Sequence, residues 1–91
     1  MMSIERAQIV RSLAGHDKGH LLCVLNTEGE FLLLADGKHR KVEAPKRKRA
    51  RHVELVDAPS HPTIEKLRTG HPVGNQELRC ALAALRDEME V

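Results

Sequence analysis

Apolar residues along this chain gather into short clusters in the first half and into a single helical stripe at the end. Ile9, Val10 and Leu13 stand out between Ala7 and Leu13, with Arg11 and Ser12 interposed. Residues 21–25 and 31–35 are the longest apolar runs, each of strand length. Between them Asn26-Thr27-Glu28-Gly29-Glu30 reads as a hairpin loop. Asp36-Gly37 is a two-residue hairpin signal, and the next strand is expected at 39–42, ended by Pro45. Val53-Glu54-Leu55-Val56 supports a further strand over 52–56. The pattern predicts five short strands at 7–13, 21–25, 31–34, 39–42 and 52–56, which argues for a small antiparallel barrel or sandwich.

From Ala58 the texture changes. Pro59, Pro62 and Pro72, with Gly70, predict an irregular connection holding one or two helical turns over 63–68. Asn75 is the expected cap of a helix over about 75–90. Leu78, Ala81, Leu82, Leu85 and Met89 recur at spacings of three and four, and Glu77, Arg79, Ala83, Arg86 and Glu90 share the other face. The expected organisation is therefore a β unit over 1–57 and a connection plus helix over 58–91. The helix packs either on the β unit or on a partner, and a homodimer through its stripe is the less favoured use.

Charge sharpens this picture. The net charge is only +2, but residues 1–52 hold eleven Lys/Arg against six Asp/Glu, while residues 53–91 hold four against seven. Eight of the fourteen residues from 38 to 51 are Lys or Arg, and Lys46-Arg47-Lys48-Arg49 is unbroken. Such a density of like charge repels itself unless a polyanion is near, and nucleic-acid phosphate is the commonest one. A solvated charged turn is the plain alternative. In Ala14-Gly15-His16-Asp17-Lys18-Gly19-His20 the glycines free backbone N–H groups to face outward, where with Lys18 they suit a phosphate oxygen. If this loop and the basic segment share one end of the sheet, Arg11, Lys18, Lys38, Arg40, Lys41, Lys46, Arg47, Lys48, Arg49 and Arg51 form one positive surface.

The run Ile9-Val10-Arg11-Ser12-Leu13-Ala14-Gly15-His16-Asp17-Lys18-Gly19, followed by an apolar strand and Leu34-Ala35-Asp36-Gly37-Lys38, resembles the KOW motif. The similarity is to the KOW domain of the fourteen-e type large-subunit ribosomal proteins and to small stand-alone KOW-domain RNA-binding proteins. Gly19 falls at the signature glycine, and Ala35-Asp36-Gly37-Lys38 with Pro45 and its basic run resembles the family's second conserved stretch. The resemblance covers about residues 5–56. It implies a five-stranded SH3-like barrel that binds structured RNA, with ribosomal RNA as the expected ligand and ribosomal subunit proteins as possible neighbours. His16 and His20 stand where the family often has Arg, and a neutral imidazole adds no fixed charge to the loop. Residues 57–91 carry no resemblance. KOW barrels also dock on proteins of the transcription-elongation machinery, which is the alternative reading.

Phe31 is the only aromatic residue, and its apolar run predicts a core position. Without a base-stacking platform, the expected contacts are phosphate, 2′-hydroxyl and shape. Neutralising about half a dozen phosphates would cost roughly three decades of affinity between 50 and 200 mM salt. His16, His20, Cys23 and His39 lack a recognised zinc spacing, so no metal or cofactor is expected. The acids are scattered, and no nucleophile sits beside a base, so catalysis is not expected. A DNA-binding module is disfavoured because no basic recognition helix is evident. Cys23 and Cys80 read as two buried free thiols, and the chain has neither a signal-like start nor a membrane-length apolar run, so a cytoplasmic location is expected.

Overall fold

The computed structural model describes residues 4–89. Strands β1 (Ile9–Ser12), β2 (Leu21–Glu28), β3 (Phe31–Ala35) and β4 (Lys46–Arg49) precede a 3-10 turn (Ala50–His52) and β5 (Val53–Val56). Helices α1 (Pro62–Arg68) and α2 (Asn75–Met89) follow. The strands form one five-stranded antiparallel sheet in the order β4-β3-β2-β1-β5. The fold is mainly β with a C-terminal helix.

The apolar run at the start of β2 is buried on both faces, which explains why it does not alternate with polar residues. Leu21 and Cys23 face the helices with Ile9 and Ala35, and there they meet Ile64, Leu67, Leu78, Ala81, Leu82 and Leu85. Leu22 and Val24 face the other way, with Val10, Leu32, Leu34 and Val53. Leu78, Ala81, Leu82 and Leu85 are each at most 1% exposed, so the α2 stripe is committed to the sheet. Burying one such leucine contributes about 1.5–3 kcal/mol.

The second cluster lies in the hollow of a coiled sheet. In a flat sheet the edge strands β4 and β5 would lie about 19 Å apart, four spacings of ~4.8 Å. The link from Arg49 to Val53 is a 3-10 turn, and a segment of that length rises only about 8 Å. The edges must therefore approach each other, and the sheet bends around Leu22, Leu32 and Leu34.

Three local expectations are corrected. The strand predicted at 39–42 does not form. The Asp36 carboxylate accepts the backbone N–H groups of Lys38 at 2.9 Å and Arg40 at 2.8 Å, while the Arg40 carbonyl accepts those of Asp36 and Gly37. Asp36-Gly37 thus folds residues 36–45 into a loop, and the fourth strand is the basic run itself. Its partner is β3, with Leu32 opposite Lys48 and Phe31 opposite Arg49.

Asn75 is not the cap of α2. The first helical carbonyl belongs to Gly74, which accepts the Leu78 N–H at 3.0 Å. The Asn75 side chain instead accepts the Val42 N–H and donates to Glu43, both at 2.8 Å, tying the 36–45 loop to the helix. The expected segment 63–68 is the helix α1, entered through Pro62, with His61 Nδ1 accepting the Thr63 N–H. The expected last position of α2, Glu90, lies outside the described residues.

Phe31 is not a core residue. It is half-buried on the outer face of β3, and the Arg47 and Arg49 guanidiniums lie 3.8 and 4.8 Å from its ring centre. The alternation of β3 assigns Leu32 and Leu34 to the interior and turns Phe31 and Leu33 outward.

Candidate nucleic-acid interface

The two segments singled out by charge meet in one groove. It is about 380 Å³ in volume and lined by Gly15 and His16 from one side and by Arg40, Lys46, Arg47, Lys48 and Arg49 from the other. Ala14, Phe31, His52 and one carboxylate, that of Asp17, complete its wall. The loop after β1 is held by short bonds within itself: the Gly19 N–H reaches the Ser12 carbonyl at 2.8 Å and the His20 N–H reaches that of Asp17 at 2.9 Å. Gly15 and Gly19 have φ of 78° and 87°, values that a side chain would strain.

Asp17 joins the two loops. It is 4% exposed, and both its oxygens accept from Arg40, the shortest contact being 2.8 Å. Burial alone would raise the Asp17 carboxyl, but the Arg40 guanidinium, with help from Lys48 and His20, holds it below its ordinary value. Asp36 has the same balance: burial pushes its carboxyl up, and the backbone N–H groups of Arg40 and Lys38 with the His39 ring bring it lower. Both acids therefore remain charged and consumed by internal partners.

The ten candidate cations divide into three groups. Arg11 with Glu54, Arg40 with Asp17, Arg47 with Glu28 and Arg49 with Glu30 form ion pairs. Lys48 points into the sheet at 8% exposure, where its ammonium donates to Ser12 Oγ at 2.7 Å and to the Ala14 carbonyl at 2.6 Å. Lys18, Lys38, Lys41, Lys46 and Arg51 are exposed and form no ion pair among the described residues.

Placement divides the candidates too. Gly15, His16, Arg40, Lys46, Arg47, Lys48 and Arg49 line the groove. Gly19, His20 and Lys38 line a second cleft, on the α2 side. Arg11, Lys18 and Lys41 line neither, and Arg51 lines a separate apolar groove with Ile4, Val53 and Leu55. Lys48 acts from inside: it ties β4 to the Gly15 loop and supplies positive potential without being open to contact.

Sequence reasoning missed Phe31 and His52 in the groove, and His39, Arg79 and Arg86 in the cleft. His39 stacks on His20 with ring centres 5.2 Å apart. The seven-residue spacing of Arg79 and Arg86 was the legible signal for the last pair. Among the described residues no group of three His, Cys, Asp or Glu is placed to hold a metal ion. Cys23 is fully buried, its thiol pushed up to about 12 by that burial, but Cys80 is exposed, against the expectation of a second buried thiol, because it lies off the Leu78–Ala81–Leu82–Leu85 stripe of α2. No helix among the described residues is long and apolar enough to cross a membrane. No family model and no curated protein matches the chain.

Proposed function

We propose that this chain is a non-enzymatic RNA-binding module built on an SH3-like barrel of the KOW kind, gripping the phosphate backbone of structured RNA, with ribosomal RNA the expected ligand. The observation that carries the reading is the convergence of the Gly15–His16 loop and the basic strand β4 on one groove. The strand order and the short 3-10 link between the edge strands are what a closing barrel requires. The resemblance over residues 5–56 points the same way.

The pairing pattern refines the chemistry. Arg47 and Arg49 are engaged by carboxylates and by the Phe31 ring, so they present flat, oriented guanidiniums rather than waving charges. The exposed cations without an ion pair supply the electrostatic attraction. With about five phosphates neutralised, affinity falls by roughly two to three decades between 50 and 200 mM salt.

The test is retention of a duplex RNA by tag-free protein across a salt series. Changing the groove residues Lys46, Arg47 and Arg49 together to Glu abolishes retention and leaves the circular dichroism spectrum unchanged. Unchanged retention would defeat the RNA reading. A protein-docking role of the transcription-elongation type is favoured by one observation, the groove of about 590 Å³ that holds the exposed Leu55 beside Ile4, Ala50 and Val53. It gains if wild type retains no RNA while wild type and the triple variant both capture a protein partner.

A further inference from the structure

We infer that α2 is part of the RNA surface: the cleft between α2 and the loops at Gly19 and Asp36 receives a second stretch of the phosphate backbone. This rests on the RNA reading and extends it to a segment that carries no resemblance to the KOW family. The cleft measures about 640 Å³ and brings together Lys38, Arg79 and Arg86 with the stacked rings of His20 and His39.

Three features make it an anion site rather than a neutral dent. The first is the charge count. Asp36 is the one carboxylate among its lining residues, set against three fixed cations. That carboxylate is already occupied by the N–H groups of Lys38 and Arg40 and faces His39 Nδ1 at 3.4 Å. Its position fixes Lys38 at the mouth of the cleft instead of cancelling it.

The second is the helix face. Arg79, Ala83 and Arg86 follow one another at spacings of four and three, so they share a face, with the arginines two turns or about 10.5 Å apart. Ala83 between them is exposed and small, which leaves room for a phosphate to approach both. The third is rigidity. The Arg79 guanidinium donates to the Gly37 carbonyl at 3.4 Å, and α2 is held on the sheet by its buried leucines, so the cations are carried on fixed backbone. Arg79 and Arg86 are the only Lys or Arg of α2, and both line this cleft, while Asp87 and Glu88 of the same helix do not.

The test compares wild type with Lys38→Gln/Arg86→Gln for binding of a short RNA duplex by fluorescence anisotropy between 50 and 200 mM salt. Arg79 is left in place because it also bonds Gly37. The double variant binds about ten-fold more weakly at the low-salt end, and its salt slope falls by about 2. Arg86→Lys alone keeps the slope of wild type. Wild-type binding with an unchanged double variant would overturn the part given to α2 and leave the main groove standing; no wild-type affinity at 50 mM salt would overturn the RNA reading itself. A titration of unmodified protein followed by nuclear magnetic resonance covers the case of a misfolded variant. The ring signals of His20 and His39 shift as duplex is added, and rings that stay still while RNA binds would overturn the proposal.

Discussion

Replacing Gly37 with Ala tests how tightly the 36–45 loop is docked on α2. Gly37 has φ 81°, and a Cβ built there overlaps the Asn75 carbonyl oxygen while lying 3.0 Å from the Arg79 backbone nitrogen. Ordinary contact needs about 3.5–4.0 Å, so the first turn of α2 must retreat by about 1 Å. Three costs follow: left-handed backbone on an L residue, about 1–2 kcal/mol; the steric shift, about 1–3 kcal/mol; and the Val42–Asn75 hydrogen bond stretched out of range, about 1 kcal/mol. Their sum is about 3–6 kcal/mol. Gly29 is the control, because its φ is 62° and nothing lies within 4 Å of a Cβ placed there. Gly29→Ala carries only the backbone cost, and the entropy gained in the unfolded chain is common to both variants. At about 4–8 °C per kcal/mol for a domain of this size, thermal melts place Gly37→Ala at least about 8 °C below Gly29→Ala. Two melts within about 3 °C of each other would refute the reasoning.

Lys48→Glu destabilises the chain by about 3–5 kcal/mol in urea unfolding, because it buries an unpaired charge near Asp17, whereas Lys46→Glu, exposed on the same strand, changes stability by no more than about 0.5 kcal/mol. Asp17 has a folded pKa below its unfolded value, so its stabilisation is complete above about pH 4 and is lost as pH falls through the folded value. Urea midpoints of Asp17→Asn are accordingly lower than wild type at pH 7 and converge with it in acid. A thiol reagent modifies Cys80 in the native protein at once and Cys23 only after denaturant is added, as their exposure and the raised Cys23 thiol require; mass spectrometry of the labelled peptides reads the order.

Strands with an apolar face were legible in the sequence, and so was the helix with a three-and-four stripe. Leu21 to Val24 and Leu78 to Leu85 declare themselves because burial demands their side chains. β4 was not legible in the same way. Lys46-Arg47-Lys48-Arg49 contains no apolar residue, and it is extended because β3 offers it a ladder, so tertiary pairing decides what local preference does not. The misplaced strand at 39–42 has a definite cause as well. Asp36-Gly37 signals a turn, and a carboxylate that captures two N–H groups beyond it converts a hairpin into a closed loop. The candidate surface was legible as composition, but its division was not. Alternation along a basic segment whose pattern predicts no strand sends Lys48 inward, and no count of charges reveals that Arg40 spends itself on Asp17.

That β4 is a sheet edge gives the basic run a second occupation. An edge strand is a template on which another chain can polymerise, and a row of lysines and arginines is among the surest deterrents to such stacking. On the proposed RNA reading, charge removal at Lys46 and Arg47 would blunt affinity for RNA and also strip the molecule of its guard against self-association. Weak binders made that way should be checked for aggregates before their affinity is believed.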